Sequence, residues 1–278
     1  MTDSIAITEA SDYMGEDGLL YCGVCHSRKQ IRVKFPKLFC SSGEEEERIV
    51  PVVCKCYERE QEKIRQREHA EKVDRMKSVC FTDRAYHDWT LDKADQLPDN
   101  ILKICRAFID SWAEISRTNT GLLFWGGVGN GKSTAAACIA NALLEKEISV
   151  LMRNTGAFMN GSFDDREELI REVSRYSLVI IDDFGMERDT QYGKEVMFSL
   201  IDARYNSKKP TIITTNLTLS ALQHPAEQAY ERIYDRILEM CTPIRFEGSS
   251  LRPGIQKQKL DHFKELLSEY NGGCGNGE

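Results

Sequence analysis

The chain has 278 residues, 41% of them hydrophobic and 29% charged, with a formal net charge of -7. That length allows one substantial core plus a smaller attachment. The charge excludes nonspecific coating of nucleic acid as a main role, although local basic surfaces survive a negative sum. No stretch approaches a membrane span, and the acidic, polar start MTDSIAITEASDYMGED is unlike a signal peptide, so a cytoplasmic protein with no membrane partner is expected.

The first sixty residues hold Cys22, Cys25, Cys40, Cys54 and Cys56. In a reducing compartment, clustered thiols more often bind metal than form disulfides. Cys22 and Cys25 form a CxxC knuckle, and Cys54 and Cys56 a CxC pair flanked by Val52 and Val53. Four thiolates so spaced could close a tetrahedral zinc site and hold together a piece too short for its own core. Cys40 and His26 are competing ligands, and ordinary reduced thiols are the alternative. Between the pairs, residues 27–37 are basic (Arg28, Lys29, Arg32, Lys34, Lys37), and the acidic run Glu44 to Glu47 reads as a solvated loop. Cys80, Cys105, Cys138, Cys241 and Cys274 stand singly and read as buried hydrophobes or inert surface thiols.

Residues 57–77 alternate in charge with almost no apolar face, as an exposed helix or tether does. Phe81, Tyr86 and Trp89 follow, candidates to wall a base pocket, with core packing as the plainer role for any one of them. A helix is expected over about Asn100 to Ile115. Next comes the apolar run Leu122-Leu123-Phe124-Trp125, and directly after it GGVGNGKST from Gly126 to Thr134, a complete GxxxxGKS/T phosphate-binding loop. A buried strand delivers such a loop and a helix, here Ser133 to Glu145, leaves it, so that backbone N–H groups converge on a polyphosphate. Gly126, Gly129 and Gly131 let the backbone turn. Gly127, Val128, Gly129, Asn130, Gly131, Lys132, Ser133 and Thr134 form the nucleotide cradle, with Lys132 neutralising the β- and γ-phosphates and the Ser133 hydroxyl a ligand for Mg²⁺.

Ser177 to Gly185, SLVIIDDFG, is an apolar strand ending in two carboxylates. Adjacent side chains on a strand diverge, so Asp182 can stand behind the metal while Asp183 faces an attacking water. A further strand, Pro210 to Thr215, ends in Asn216, which can reach the γ-phosphate and the water or simply cap the next turn. Strands are expected near Leu122–Trp125, Ile148–Arg153, Ser177–Asp182, Thr211–Thr215 and Ile244–Phe246, with helices between them. The fold class is therefore α/β, a mainly parallel sheet covered on both faces, with an added strand between the P-loop and Asp-Asp strands.

Together GGVGNGKST, LVIIDDFG, TIITTN, ERIYDRI (Glu231 to Ile237) and FEGSSLR (Phe246 to Arg252) resemble the AAA+ helicase loaders of the DnaC/DnaI type over about residues 80 to 255, and the cysteine module resembles their zinc-binding N-terminal domain. The resemblance implies an ATPase of the primosome whose partners are a replicative DNA helicase, single-stranded DNA and further copies of itself across the ATP site. It implies that Arg236 is an arginine finger projecting into a neighbouring subunit, that Arg232 supports that interface, that Arg252 is a sensor acting in cis, and that Thr190 and Tyr192 contact DNA. The implied domains are a zinc-binding helicase-interaction module (1–57), a charged linker helix (58–80), an AAA+ ATPase domain (81–270) and a disordered tail (271–278). Asp183 stands where many AAA+ proteins place glutamate, and its shorter arm predicts modest or partner-dependent turnover. Three other readings stay open: an IstB-like transposition ATPase, a P-loop small-molecule kinase, and a noncatalytic zinc adaptor switched by nucleotide.

Overall fold

The computed structural model describes residues 11–36, 45–159, 163–185, 190–248, 250, 260–261 and 263–264. The chain divides into two compact units, residues 1–72 and 73–278.

In the first unit, β1 (Tyr13–Met14) pairs antiparallel with β2 (Leu20–Tyr21), and β3 (Gln30–Pro36) with β4 (Glu45–Pro51). Among its described residues, the buried hydrophobic ones are Leu19, Cys22 and Cys54. So small a core supplies little of the burial that a self-standing domain needs. The acidic run is not the loop expected of it: Glu45, Glu46 and Glu47 lie in β4, Glu47 directly opposite Lys34. Lys34 Nζ lies 3.8 Å from Glu45, Arg28 pairs with Asp17 at 3.2 Å, and Lys29 pairs with Asp12. Lys34 faces the β4 glutamates across the ladder, an opposite-charge pairing that favours the strand where composition alone suggests a loop, and the separate Asp17 and Asp12 pairs give Arg28 and Lys29 acidic partners. Helix α1 (Lys55–Cys80) follows, its residues to Lys72 in this unit. Its exposed surface carries Lys63–Glu60, Arg65–Glu62 and Arg67–Glu71 pairs at helical spacing, each contributing a few tenths of a kcal/mol.

In the second unit, Val73 and Cys80 of α1 are buried. Two 3₁₀ turns, Arg84–Asp88 and Leu91–Lys93, lead to α2 (Asp99–Asp110) and α3 (Trp112–Thr118). The single helix expected over Asn100 to Ile115 is thus two. Ser111 leaves the helical region, with φ −91° and ψ 18°, and closes α2 with its N–H on the Ala107 carbonyl. The chain continues through β5 (Gly121–Gly126), α4 (Lys132–Glu145), β6 (Val150–Asn154), α5 (Thr155–Met159), α6 (Phe163–Val173), β7 (Leu178–Phe184), α7 (Gln191–Ser207), β8 (Thr211–Thr215), α8 (Leu219–Gln223), α9 (Gln228–Met240) and β9 (Cys241–Phe246).

Among the described residues these five strands form one parallel sheet in the order β6-β7-β8-β5-β9. The β8 strand does stand between the P-loop strand and the Asp-Asp strand. Because successive strand residues face opposite ways, Leu122, Phe124, Met152, Ile180 and Ile212 join α2 and α4 in one core, while Leu123, Leu151, Val179, Ile181 and Ile213 join α7 and α9 in the other. The β9 strand begins at Cys241, earlier than expected, because Pro243 interrupts its apolar pattern. An edge strand tolerates a proline that a central strand would not. Cys80, Cys105, Cys138 and Cys241 are all buried, and burial pushes each thiol up to about 12.

Candidate nucleotide site and thiolate centre

The loop between β5 and α4 turns on positive φ at Gly126 (139°), Gly129 (82°) and Gly131 (88°). At Gly126 a Cβ would also collide with the carbonyl oxygen of Phe246 on β9. Gly131, left-handed at the α4 N-cap, starts a helix whose unpaired N–H groups face the loop. A cavity of about 390 Å³ opens there, lined by Val128 to Thr134, Asp182, Asp183 and Asn216, and on another side by Tyr86, Trp89 and Gln96. An N-terminal helix dipole, a lysine and aromatic rings beside one concave space suit a nucleoside polyphosphate.

Lys132 Nζ donates to the carbonyls of Gly126 and Gly127 at 3.0 and 2.6 Å and to Asn216 Oδ1 at 2.8 Å. Burial lowers its pKa, opposed by the charges of Asp183 and Asp182. Ser133 Oγ donates to Asp182 Oδ1 at 2.8 Å, and Thr214 Oγ1 donates to the same oxygen at 2.5 Å. Burial raises the Asp182 pKa, and the Thr214 and Ser133 hydrogen bonds pull against that. A hydroxyl and a carboxylate side by side are hard oxygen donors, the set that suits Mg²⁺. Next along β7, the register shifts between Ile181 and Phe184, and Asp183 takes φ 54°. This bulge separates the two carboxylates: Asp182 is 4% exposed while Asp183 is open to solvent.

The structure therefore brings Lys132, Ser133, Asp182, Asp183 and Asn216 to one cavity. Tyr86 and Trp89 stand at its edge with ring centroids 4.5 Å apart, held by the buried Asn141, whose Nδ2 donates to their carbonyls at 2.8 and 2.9 Å. Phe81 is core.

The sulfurs of Cys22, Cys25, Cys54 and Cys56 all lie within 4.8 Å of one another. A tetrahedral zinc with Zn–S near 2.3 Å spaces its sulfurs at about 3.8 Å, so this donor set fits Zn²⁺. Hydrogen bonds from Ser27 draw the Cys25 thiol down to about 5. Hydrogen bonding to Cys54, Cys22 and Cys25 pushes Cys56 up to about 12. Of the competing ligands, His26 turns away, its Nδ1 3.1 Å from the Tyr13 hydroxyl, and Cys40 lies outside the described residues. The Cys54 thiol, just before α1, is lowered by hydrogen bonding to Cys56 and to the Tyr57 backbone.

Arg236 on α9 is not at this cavity. Its guanidinium pairs with Asp202 and lies over the rings of Phe198 and Tyr205 at 5.0 and 5.2 Å. Arg232 is exposed, beside a groove with His224, Glu231 and Asp235. Thr190 caps α7, its Oγ1 accepting from Gly193 N at 3.0 Å, and Tyr192 is 42% exposed. Arg252 and the 271–278 tail lie outside the described residues.

Residues 45–260, well over half of the chain, match the model of the family described as "IstB-like ATP binding protein". The chain belongs to the IstB-like ATP-binding family. Its relatives include the replicative helicase loader DnaC of Escherichia coli K12 (29% identical over 145 residues, 50% of this chain and 57% of that one). The replicative helicase loader DnaI of Bacillus subtilis is also 29% identical, over 52% of this chain and 51% of its own. An insertion-sequence ATP-binding protein of Mycobacterium tuberculosis is 25% identical over 69% of this chain and 78% of its own. The matched region thus spans little more than half the length of these two helicase loaders. Among solved structures, DnaI aligns at TM-score 0.53 with 21% identity, covering 63% of this chain and 98% of that one. The DnaC helicase loader aligns at 0.50 with 23% identity, covering 59% and 100%. At that identity the likeness concerns the fold, and it agrees with the α/β parallel sheet built here.

Within this IstB-like core, three contributors escape a reading of motifs. Thr214 looks like an ordinary β-branched strand residue, yet its hydroxyl donates to Asp182 and accepts from Asp183 N at 2.9 Å. A hydroxyl in a fully buried strand beside an acidic one is the signal that could have found it. Asn130, read only as part of the cradle, donates through Nδ2 to the Phe246 and Gly248 carbonyls at 3.3 and 3.1 Å, tying the loop to the end of β9. Arg204 is fully buried and donates to the carbonyls of Val173, Tyr176 and Pro210 and to Thr211 Oγ1.

Proposed function

We propose that this chain is a Mg²⁺-dependent ATPase that loads a replicative helicase, gripping the helicase through its N-terminal thiolate unit and single-stranded DNA through its ATPase core, with ATP binding and hydrolysis controlling assembly and release. The observation that carries it is the convergence of Lys132, Ser133, Asp182, Asp183 and Asn216 on one cavity in an IstB-like ATP-binding fold. Gly127 to Thr134 hold the phosphates, Lys132 answers their charge, and Tyr86 and Trp89 flank the base. Ser133 and Asp182 hold Mg²⁺, which when bound neutralises charge on the phosphates. Asp183, exposed at the bulge, orients the attacking water, and Asn216 positions both water and Lys132.

Lys132 is the one cation among the described residues lining the cavity, against two carboxylates. Charge accumulating on transferring phosphoryl oxygens calls for a guanidinium, and the reading assigns Arg236 of a neighbouring copy to that task, with Arg252 serving in cis. Thr190 and Tyr192, at the head of α7, are assigned to DNA. Cys22, Cys25, Cys54 and Cys56 hold Zn²⁺, which supplies the first unit with the cohesion its few buried side chains lack. Met14, Val24, Ile49, Val53 and Tyr57 of that unit are more than half exposed, apolar surface suited to a protein partner. A cytoplasmic location goes with this reading.

A second reading, a transposition ATPase, rests on the insertion-sequence relative, which matches 69% of the chain, about the share (70%) matched by the helicase loader DnaC of Buchnera aphidicola. Co-purification from the source organism separates them: recovery of a replicative helicase supports loading, recovery of a transposase supports transposition. ATP turnover measured with and without single-stranded DNA completes the test. Turnover raised by a small acceptor, and not by DNA or helicase, would instead indicate a kinase.

A further inference from the structure

Arg236 is held unusually well for an arginine at the edge of a helix. Its Nη1 pairs with Asp202 Oδ1, and its guanidinium carbon lies over the Phe198 ring at 5.0 Å and over the Tyr205 ring at 5.2 Å. The other carboxylate oxygen of Asp202 accepts from Asn206 Nδ2 at 2.9 Å, fixing the carboxylate itself. The Tyr205 hydroxyl bonds both oxygens of Glu239 at 3.0 Å, fixing the ring. Three α7 residues, each one turn or so from the next, thus form a socket for one α9 side chain. The guanidinium is nevertheless accessible, with 26% of the side chain exposed. Among the described residues its Nε and Nη2 donate no hydrogen bond, which leaves one edge of the planar fork presented outward.

A long side chain that must reach another molecule loses rotamer freedom on doing so, and holding it beforehand removes that cost. A socket gripping one nitrogen while leaving the opposite edge open suits such a task. We propose that Asp202 is the positioning residue of Arg236, and that the α7 socket of Phe198, Asp202 and Tyr205 holds the guanidinium ready for a phosphoryl group bound by a second copy of this chain. This rests on the assignment of Arg236 to a neighbour's nucleotide. Asp202 touches neither ATP nor water in this account; it acts through Arg236.

Mixed-chain complementation tests it, using full-length chains under conditions of self-association. An Asp183→Asn chain has a disabled site and an intact Arg236; an Arg236→Ala chain has an intact site and no guanidinium to give. Mixed, they are expected to regain turnover. Asp202→Ala is expected to lower kcat in the assembled state roughly 10- to 100-fold, the scale of a misplaced catalytic group, with KM for ATP unchanged. Asp202→Asn, which keeps an acceptor, should lose less. Asp202→Ala should regain turnover when mixed with Asp183→Asn and fail to regain it with Arg236→Ala, since neither of the latter chains can donate. Rescue of the Asp202→Ala and Arg236→Ala pair would overturn the positioning role. So would an Asp202→Ala chain whose ATP binding is itself weakened, which marks damage to its own site. If Arg236→Ala and Asp183→Asn fail to complement, the assignment of Arg236 falls and this proposal with it.

Discussion

Replacing Thr214 by valine preserves shape and removes a hydroxyl that is fully buried in β8, between β5 and β7. Two interactions go with it: the 2.5 Å hydrogen bond to Asp182 Oδ1 and the 2.9 Å bond from Asp183 N. A hydrogen bond to a charged group contributes about 1.5–3 kcal/mol, and a stranded N–H adds about 1 kcal/mol where water can partly replace its partner. The expected destabilisation is about 2–4 kcal/mol, a fall in Tm on the order of 5–15 °C for a unit of this size. Because burial already raises the Asp182 pKa, losing its foremost opposing hydrogen bond raises it further. An acid with an elevated folded pKa costs stability as pH rises from the ordinary carboxylate range through that value, so the Thr214→Val penalty should be larger near pH 8 than near pH 4. Urea denaturation at both pH values reads the penalty as a shift in midpoint at constant m, and Mg²⁺ titration of ATP turnover reads the loss at the site. Thr214→Ser should restore both. A valine variant within about 0.5 kcal/mol of wild type, with the same Mg²⁺ half-saturation, would mean that the Thr214 hydroxyl neither stabilises the fold nor supports the metal.

Arg204→Leu should cost about 3–5 kcal/mol by denaturation, since it strands the buried carbonyls of Val173, Tyr176 and Pro210. Trp89→Ala should weaken ATP binding by about 1–3 kcal/mol, the usual worth of a base–aromatic stack, measured by calorimetry; an unchanged Kd would remove Trp89 from the base pocket. Chelation of zinc should unfold residues 1–57 while the sheet of the second unit survives, seen as loss of amide protection confined to the first unit. In the stripped chain at pH 8, iodoacetamide should modify Cys22, Cys25, Cys54 and Cys56, released by the unfolding of the first unit, and leave the buried Cys80, Cys105, Cys138 and Cys241, pushed up to about 12, until denaturant is added. Peptide mass spectrometry distinguishes the two sets.

Much of the nucleotide site was legible because its chemistry is local. A phosphate loop needs glycines at set positions, and Lys132 and Ser133 follow from that spacing. Asp182 and Asp183 announce themselves as charges ending an apolar strand, and the five strands as short apolar runs. What escaped depends on pairing across the fold. Thr214 becomes a partner of Asp182 only because β8 lies beside β7, and Arg204 becomes a clamp only where distant carbonyls converge. The β3–β4 hairpin was hidden because its strands are largely exposed and lack an apolar period, with Lys34 facing Glu47 across the ladder. The break at Ser111 was hidden because serine is compatible with both helix and cap. The four cysteines fall between these cases, legible as two thiol pairs but brought within 4.8 Å of one another only by the chain's return.

ATP-controlled loading of a helicase can be measured as transfer of the purified replicative helicase from the same source onto closed circular single-stranded DNA. Transfer should require this chain with ATP and Mg²⁺, and be lost with Lys132→Ala and with zinc removed. Helicase transfer indifferent to this chain, or undiminished by Lys132→Ala, would contradict the loading role.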